Sequence, residues 1–356
     1  MRLALLYGGR SGEHEVSCRS AASILKNLDP GKYDVFPVAV DHNGFWYLQK
    51  EPESRSLGDS LPVSTDRPRV GVIPGSGLTA GGETLPVDIA FPIIHGSFGE
   101  DGTIQGLLEM AGLPYVGSGV LGSAAGMDKE AMKRLWREAG LPTAPFATLY
   151  DTSAASDLSE RLTTAGLSPE EELFVKPARG GSSVGITRAA GEKALRAALA
   201  TAFRYDTKAI VERRVLGREI ECAVIGNDEV ETFPPGEIIP EDGFYDYDAK
   251  YVNPDGARLE VPAELPEEQL ARIREVAARA YRTLEAEGYA RVDLFVSPEG
   301  RIFLNEINTI PGFTTISMFP RMCQVGGLKY SEILDRLIDL GMERHKKRQA
   351  LEYRYQ

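Results

Sequence analysis

A chain of 356 residues is too long for a single hydrophobic core, so two or three domains are expected. Its composition, 42% apolar and 26% charged, is ordinary for a globular protein, while a formal net charge of −12 argues against a nucleic-acid binder, which carries a basic face. An anionic ligand must therefore be held by a local cluster of Lys and Arg, because the overall field repels it.

The run RLALLYGG predicts a buried strand of parallel type that ends in Gly8 and Gly9, with a helix from about Glu13 to Leu28 beyond Ser11 and Gly12. Strand, Gly-rich turn and helix make a ligand site at the carboxyl edge of an open α/β sheet. The spacing is not GxGxxG, which counts against a nicotinamide dehydrogenase. Further strands are expected over Tyr33–Val40 and Pro86–Ile94, and Lys50 to Thr84 reads as a peripheral excursion. His95 to Gly102 carries three glycines in eight positions, a tight loop that approaches something closely. A short helix follows over Gln105–Met110. Asp128 then caps a helix that Gly140 and Pro142 end. Lys129 lies in its first turn, where a cation opposes the helix dipole unless an anionic ligand gives it a purpose.

LFVK predicts a strand with Lys176 at its end. The loop Arg179–Gly185, with three glycines and two serines, can wrap backbone N–H groups around phosphate oxygens, although it is not a Walker loop. A helix (Glu192–Phe203) and a strand (Ala209–Glu212) follow, and ERRVLGRE, from Glu212 to Glu219, reads as a link between domains. EIECAVIG is a strand with Glu219 and Glu221 at its entry. Gly236 to Gly256, dense in Asp and Tyr, is expected to be a long irregular loop and a lid over anionic substrate. A helix with a clean apolar stripe runs from Pro266 to about Glu287.

Arg291 to Asn308 reads as a β-hairpin in which Arg291 lies roughly opposite Glu306. Alternation puts Arg291 and Asp293 on one face, with Glu306 and Asn308 opposite, on a face made apolar near the turn by Phe295, Ile302 and Leu304. Such oxygen ligands, without Cys or His, suit Mg²⁺ held against phosphates. The plain alternative is an Arg–Glu cross-strand pair with two bystanders. A tight hydroxyl-bearing loop to Ser317 and a closing helix from Tyr330 to Leu340 complete the chain, and ERHKKRQ reads as a solvated helix end. Cys18, Cys222 and Cys323 are odd in number and far apart, which fits a reducing cytoplasm and offers no zinc site. His14, His42, His95 and His345 show no metal-ligand spacing. The apolar run Leu3–Tyr7 is too short for a signal-peptide core, and no stretch reaches bilayer-spanning length.

Taken together and in order, GGRSGEHEVS, HGSFGEDGTIQG, FVKPARGGSSVGI, FYDYDAKY, RVDLF and NEINTIPGFTTIS resemble the motifs of the D-alanine–D-alanine ligases, ATP-grasp enzymes, over nearly the whole chain. The resemblance implies an α/β fold of three domains: a Rossmann-like N-terminal domain (1–126), a central ATP-grasp subdomain (127–215) and a C-terminal one (216–356) with the lid at 236–256. It implies Asp293, Glu306 and Asn308 as ligands of two Mg²⁺ ions, with Mn²⁺ an alternative. ATP falls to Lys129, Lys176, Lys250, Asn305, Glu306 and the Ser182–Ser183 loop, with Glu212 and Val215 at adenine and Glu219 at ribose. Arg214 stands where relatives often have an aromatic residue. Glu13 matches the carboxylate that holds the first substrate's ammonium, with His95 beside its carboxylate. Arg291 and the Gly312 backbone match the oxyanion site, Ser317 the grip on the second substrate, and Glu13, Ser182 and Tyr251 a lid-closing triad. The activity implied is ATP-dependent joining of two D-alanines through an acyl phosphate, by a cytoplasmic homodimer that engages neither nucleic acid nor membrane. Tyr251 implies an amine acceptor and a dipeptide product.

Overall fold

The computed structural model describes residues 1–50, 58–151, 154–182, 184–240 and 257–353. In the first unit β1 (Arg2–Gly8) leads into α1 (His14–Asn27), followed by β2 (Asp34–Val40) and β3 (Trp46–Leu48). The peripheral excursion contains a three-stranded antiparallel meander of β4 (Val70–Ile73), β5 (Gly77–Ala80) and β6 (Glu83–Thr84). With β7 (Ile89–Pro92), the main sheet runs β3-β2-β1-β7, and β1 is parallel to both of its neighbours. Leu3 to Leu6 are wholly buried in it, as a continuous apolar run in a parallel sheet requires. Only glycine fits the turn after β1: Gly8 has φ +89°, and a Cβ there would stand 2.3 Å from the Val40 carbonyl oxygen. Two helices, α2 (Thr103–Ala111) and α3 (Val120–Met127), close the unit.

Next come α4 (Lys129–Glu138), β8 (Phe146–Tyr150), α5 (Ala154–Thr164), β9 (Leu173–Pro177), β10 (Thr187–Ala189), α6 (Glu192–Ala202) and β11 (Lys208–Arg213). Their antiparallel sheet has the order β10-β9-β11-β8. Asp128 caps α4 as its sequence predicts, its Oδ1 accepting from the Glu130 and Ala131 amides at 3.1 Å each.

The last sheet is built from β12 (Arg218–Gly226), β13 (Val230–Thr232), β14 (Gly236–Pro240), β15 (Ala257–Glu260), β16 (Tyr289–Val296) and β17 (Ile302–Asn308), and α7 (Glu267–Thr283), α8 (Met318–Val325) and α9 (Tyr330–Gln349) pack around it. Its order is β15-β14-β12-β16-β17, with β13 paired to β12. Gly236–Pro240 is thus a strand and not the start of an irregular loop, because the Glu219–Glu221 segment of β12 supplies its ladder.

Two apolar cores tie distant stretches together. Met132 and Trp136 of α4 share a core with Val292, Leu294 and Leu304, and the Trp136 indole donates to the Ala280 carbonyl at 3.0 Å. Ile333, Leu334 and Leu337 of α9 pack among Leu3, Ile24 and Ile89. The last helix also runs further than its sequence suggests. Arg344, expected in a solvated end, is 4% exposed and donates to the carbonyls of Tyr115 and Gly117. Burial of those carbonyls demands a donor, which local charge density does not reveal.

The hairpin of β16 and β17 departs from its expected register. Val296 pairs with Ile302, and a bulge then inserts Asn305, so Asp293 faces Glu306 and Arg291 faces Asn308. The extra residue reverses the alternation. Ile302 and Leu304 turn into the core with Leu294 and Val296, whereas Glu306 and Asn308 open onto the cleft. Without the bulge, a strand that kept Ile302 and Leu304 in the core would have carried Glu306 and Asn308 into it as well.

Candidate active site

Three carboxylates stand in a row across adjacent strands: Glu221 on β12 faces Asp293 on β16, which faces Glu306 on β17. Arg291 holds Asp293 through two contacts of 2.7 Å and approaches Glu221 Oε1 to 3.1 Å through Nε. Asn308 Nδ2 donates to Asp293 at 2.9 Å, and Lys129 Nζ stands 3.3 Å from Glu306. Burial alone would lower the Arg291 pKa, but the charges of Asp293 and Glu221 outweigh it and leave it raised. Like charges facing one another across strands are unfavourable, and three acids outnumber Arg291 and Lys129. Carboxylate and amide oxygens with a surplus negative charge fit a hard divalent cation such as Mg²⁺ or Mn²⁺. In the sequence Glu221 reads only as a strand residue, because its partners lie 70 and 72 positions away in the chain.

One side of this row opens into a cavity of about 380 Å³ lined by Glu13, His95, Glu100, Ser182, Arg291 and Ser317. Glu13 Oε1 accepts from the Ser182 hydroxyl at 2.5 Å, joining the head of α1 to the Gly/Ser loop. Ser182 adopts a left-handed φ of 52°, and Asp206 anchors the start of that loop by accepting from the Arg179 amide at 2.8 Å. Ser317 Oγ accepts from the Thr314 amide at 3.0 Å and lies beside Gly312, where a Cβ would come within 2.8 Å of it. His95 Nδ1 donates to the Ile310 carbonyl at 2.8 Å, and Ser20 reaches its Nε2 at 3.1 Å. Burial lowers the His95 pKa, so the ring is a neutral strut between loops. Glu100, which sequence reasoning did not single out within its glycine-rich loop, accepts from the amides of Gly96 (2.7 Å) and Ile310 (3.0 Å). Burial and the negative charge of Glu13 push its carboxyl up to about 8.

The other side opens into a cavity of about 360 Å³ bounded by Lys129, Lys176, Glu212, Val215, Glu219, Asn305 and Glu306. Lys176 Nζ donates to Asn305 Oδ1 at 3.3 Å and lies 3.5 Å from Glu212. Lys129, far from being solvated, is buried and donates to the Gly180 carbonyl at 2.7 Å. Lys133, one turn along α4, is fully buried, 3.3 Å from Glu212, and also donates to the Leu304 carbonyl beside the bulge at 3.4 Å. Burial lowers the Lys133 pKa against the pull of Glu212, while Lys133 and Lys176 overcome burial to lower that of Glu212. Lys133 escaped the sequence reading because a lysine on a charged helix looks solvated. Arg214 pairs with Glu172 at the rim, and Phe174 and Phe295 offer the aromatic surface. The two cavities meet at Gly181, Ser182, Ile238 and Glu306. Ser183, Lys250 and Tyr251, with most of the expected lid, lie outside the described residues.

One expectation about the histidines changes. His14 and His42 are distant in sequence, yet their rings stack at 3.9 Å, and with Glu15 they bring ligand atoms within 4.8 Å of one another. The turn after β2 returns to the head of α1, which spacing along the chain cannot show.

A lysine-lined cavity between two antiparallel sheets, meeting a second cavity at an acidic row, defines the class: an ATP-grasp ligase, the fold of its structural neighbours. A structure of the D-alanine–D-alanine ligase from Coxiella burnetii matches with a TM-score of 0.86 at 37% identity, covering 98% of this chain and 96% of that one. The VanG D-Ala:D-Ser ligase from Enterococcus faecalis matches with a TM-score of 0.86 at 36% identity, over 96% and 99%. The D-ala D-ala ligase N-terminal model matches residues 2–118 and the C-terminal model residues 135–339. D-alanine--D-alanine ligase A of Chromobacterium violaceum is 46% identical, covering 99% of this chain and 98% of the relative; that of Salmonella typhimurium is 44% identical with the same coverage. The chain belongs to the D-alanine–D-alanine ligase family.

Proposed function

We propose that the two cavities hold the two halves of one reaction, the ATP-dependent joining of two D-alanine molecules into D-alanyl-D-alanine for peptidoglycan precursor synthesis, with release of ADP and phosphate. The observation that carries this reading is the acidic row at the junction, where a nucleotide's phosphates in the lysine-lined cavity would meet a small amino acid in the other. Asp293, Glu306 and Asn308 would hold Mg²⁺, or Mn²⁺ in its place. A divalent ion there neutralises charge on the transferring phosphoryl oxygens.

Lys129 and Lys176 would contact those oxygens, and the resemblance assigns Lys250 and the Ser182–Ser183 loop to them as well. Glu212, Val215 and Glu219 receive adenine and ribose, and Asn305 steadies Lys176. Glu13 binds the ammonium of the first D-alanine, whose carboxylate attacks the γ-phosphorus with ADP leaving. The acyl phosphate so formed carries a good leaving group where hydroxide was a poor one. Ser317 orients the second D-alanine, whose deprotonated amine attacks the acyl carbon. Arg291 and the Gly312 backbone stabilise the oxyanion before phosphate leaves. Excluding water from the cleft would protect the acyl phosphate from hydrolysis.

The division at 126/127 and 215/216 follows from this reading, as the nucleotide lies between the central and C-terminal sheets. A homodimer is proposed, to which exposed Leu107, Met110 and Leu121 on the touching helices α2 and α3 would contribute apolar surface. Cytoplasmic placement accords with three free buried cysteines, and no helix among the described residues is long and apolar enough to cross a membrane. The test is ATP-dependent phosphate release with D-alanine against L-alanine, and with D-lactate offered beside D-alanine, the product being identified by mass. Release that ignores the enantiomer, or a D-lactate ester as main product at neutral pH, defeats the reading.

A further inference from the structure

The proposed mechanism asks two competing things of Asp293. Its oxygens are to face a divalent ion, yet Arg291 occupies both of them at 2.7 Å and Asn308 donates to one at 2.9 Å. If Asp293 simply let go, a guanidinium inside the cleft would lose its main counter-charge, which is costly. The neighbouring strand already offers a replacement. Glu221 stands directly opposite Asp293 between β12 and β16, is 3% exposed, and brings Oε1 to 3.1 Å from Arg291 Nε. That same Nε contacts Asp293 Oδ1 at 2.7 Å, so it lies between the two carboxylates. The residue facing Arg291 on β12 is Ala223, whose methyl group leaves the diagonal to Glu221 open.

We propose that Glu221 is a positioning residue that takes over Arg291 when Asp293 turns to the metal, and so keeps the guanidinium aimed at the oxyanion. This rests on the metal reading of Asp293. Glu221 thereby serves both steps: it frees a metal ligand for phosphoryl transfer, and it holds the cation needed for acyl transfer. A mere structural acid in the sheet would do neither.

The test is Mn²⁺ binding in the presence of saturating ADP, followed by the loss of the free-ion paramagnetic resonance signal beyond that caused by the same ADP without protein. The full chain is compared with Glu221→Gln, Arg291→Ala and the double variant. Glu221→Gln should weaken Mn²⁺ binding about tenfold while Arg291 is present, because Asp293 then stays captured, and by less than about twofold when Arg291 is absent. Equal weakening in both backgrounds means that Glu221 acts only as a negative charge and overturns the proposal, as does no weakening in either. Wild-type protein that binds no Mn²⁺ refutes the metal reading itself, which is a distinct failure. Should Arg291→Ala not fold, a crystal structure with ADP and Mn²⁺ decides: Arg291 resting on Glu221 supports the handover, and Arg291 still bidentate on Asp293 overturns it. Steady-state rates give a further check, with Glu221→Gln expected to lower kcat even at saturating ATP and metal.

Discussion

The two charge clusters of the cleft are mirror images. Around Arg291, one cation is shared by Glu221 and Asp293, with Glu306 next in line. Around Glu212, one anion is shared by Lys133 and Lys176. Each cluster is internally paired, as buried charge must be, yet each keeps a surplus of opposite sign. The acidic surplus suits a divalent cation and the basic surplus suits phosphate, and their meeting at Glu306 places the two side by side. An overall charge of −12 is therefore no obstacle to an anionic nucleotide, since the local arrangement decides.

Substitutions can break this symmetry from either side. The largest effect is expected from Asp293→Asn, which keeps the shape of the acidic cluster and removes its charge. Phosphate release with D-alanine should fall by about 10²–10³-fold or more, and the melting temperature should fall as well, because buried Arg291 loses its main counter-charge. Activity near the wild-type value would remove Asp293 from the proposed metal site.

Lys133→Met attacks the basic cluster where no ligand reaches. It leaves buried Glu212 with Lys176 alone, and the folded state should lose about 3–5 kcal/mol in a urea titration. Adding Glu212→Gln should recover part of that loss. Strict additivity of the two losses would show that they are not coupled through charge.

The smallest effect belongs to Glu100, which belongs to neither cluster. Its carboxyl, ordinarily near 4.5, rises to about 8 in the folded protein, so the native state holds its proton more tightly than the unfolded chain. The stability this contributes is complete below the unfolded value and is lost as pH rises through about 8. The slope can be no steeper than about 1.4 kcal/mol per pH unit. Glu100→Gln should flatten the stability profile between those values, while lowering stability at pH 5, because its amide cannot accept from both the Gly96 and Ile310 amides. An unchanged slope in urea titrations across pH would show that Glu100 does not titrate there.

Much of the local architecture was legible along the chain. The strand, glycine turn and helix at the start, the Asp128 cap and the long apolar stripe of α7 all follow from periodicity and from turn chemistry, which act over a few residues. Many of the acids and lysines of the cleft could be named because they fall within the ordered motifs, whereas Lys133 and Glu100 could not. The pairings could not be named either. The bulge at Asn305 costs one residue of register and reverses which side chains meet the core, and no pattern of alternation announces it.

Sequence alone determined most of the principal elements, the ordered motifs and hence the family, because propensity and motif chemistry are local. Only the tertiary structure decided that Glu221 shares Arg291, that Lys133 is buried against Glu212, and that Arg344 is a clamp on the first unit. A charge looks solvated in one dimension, and its partner becomes known only when distant strands and helices are brought within hydrogen-bond reach of it.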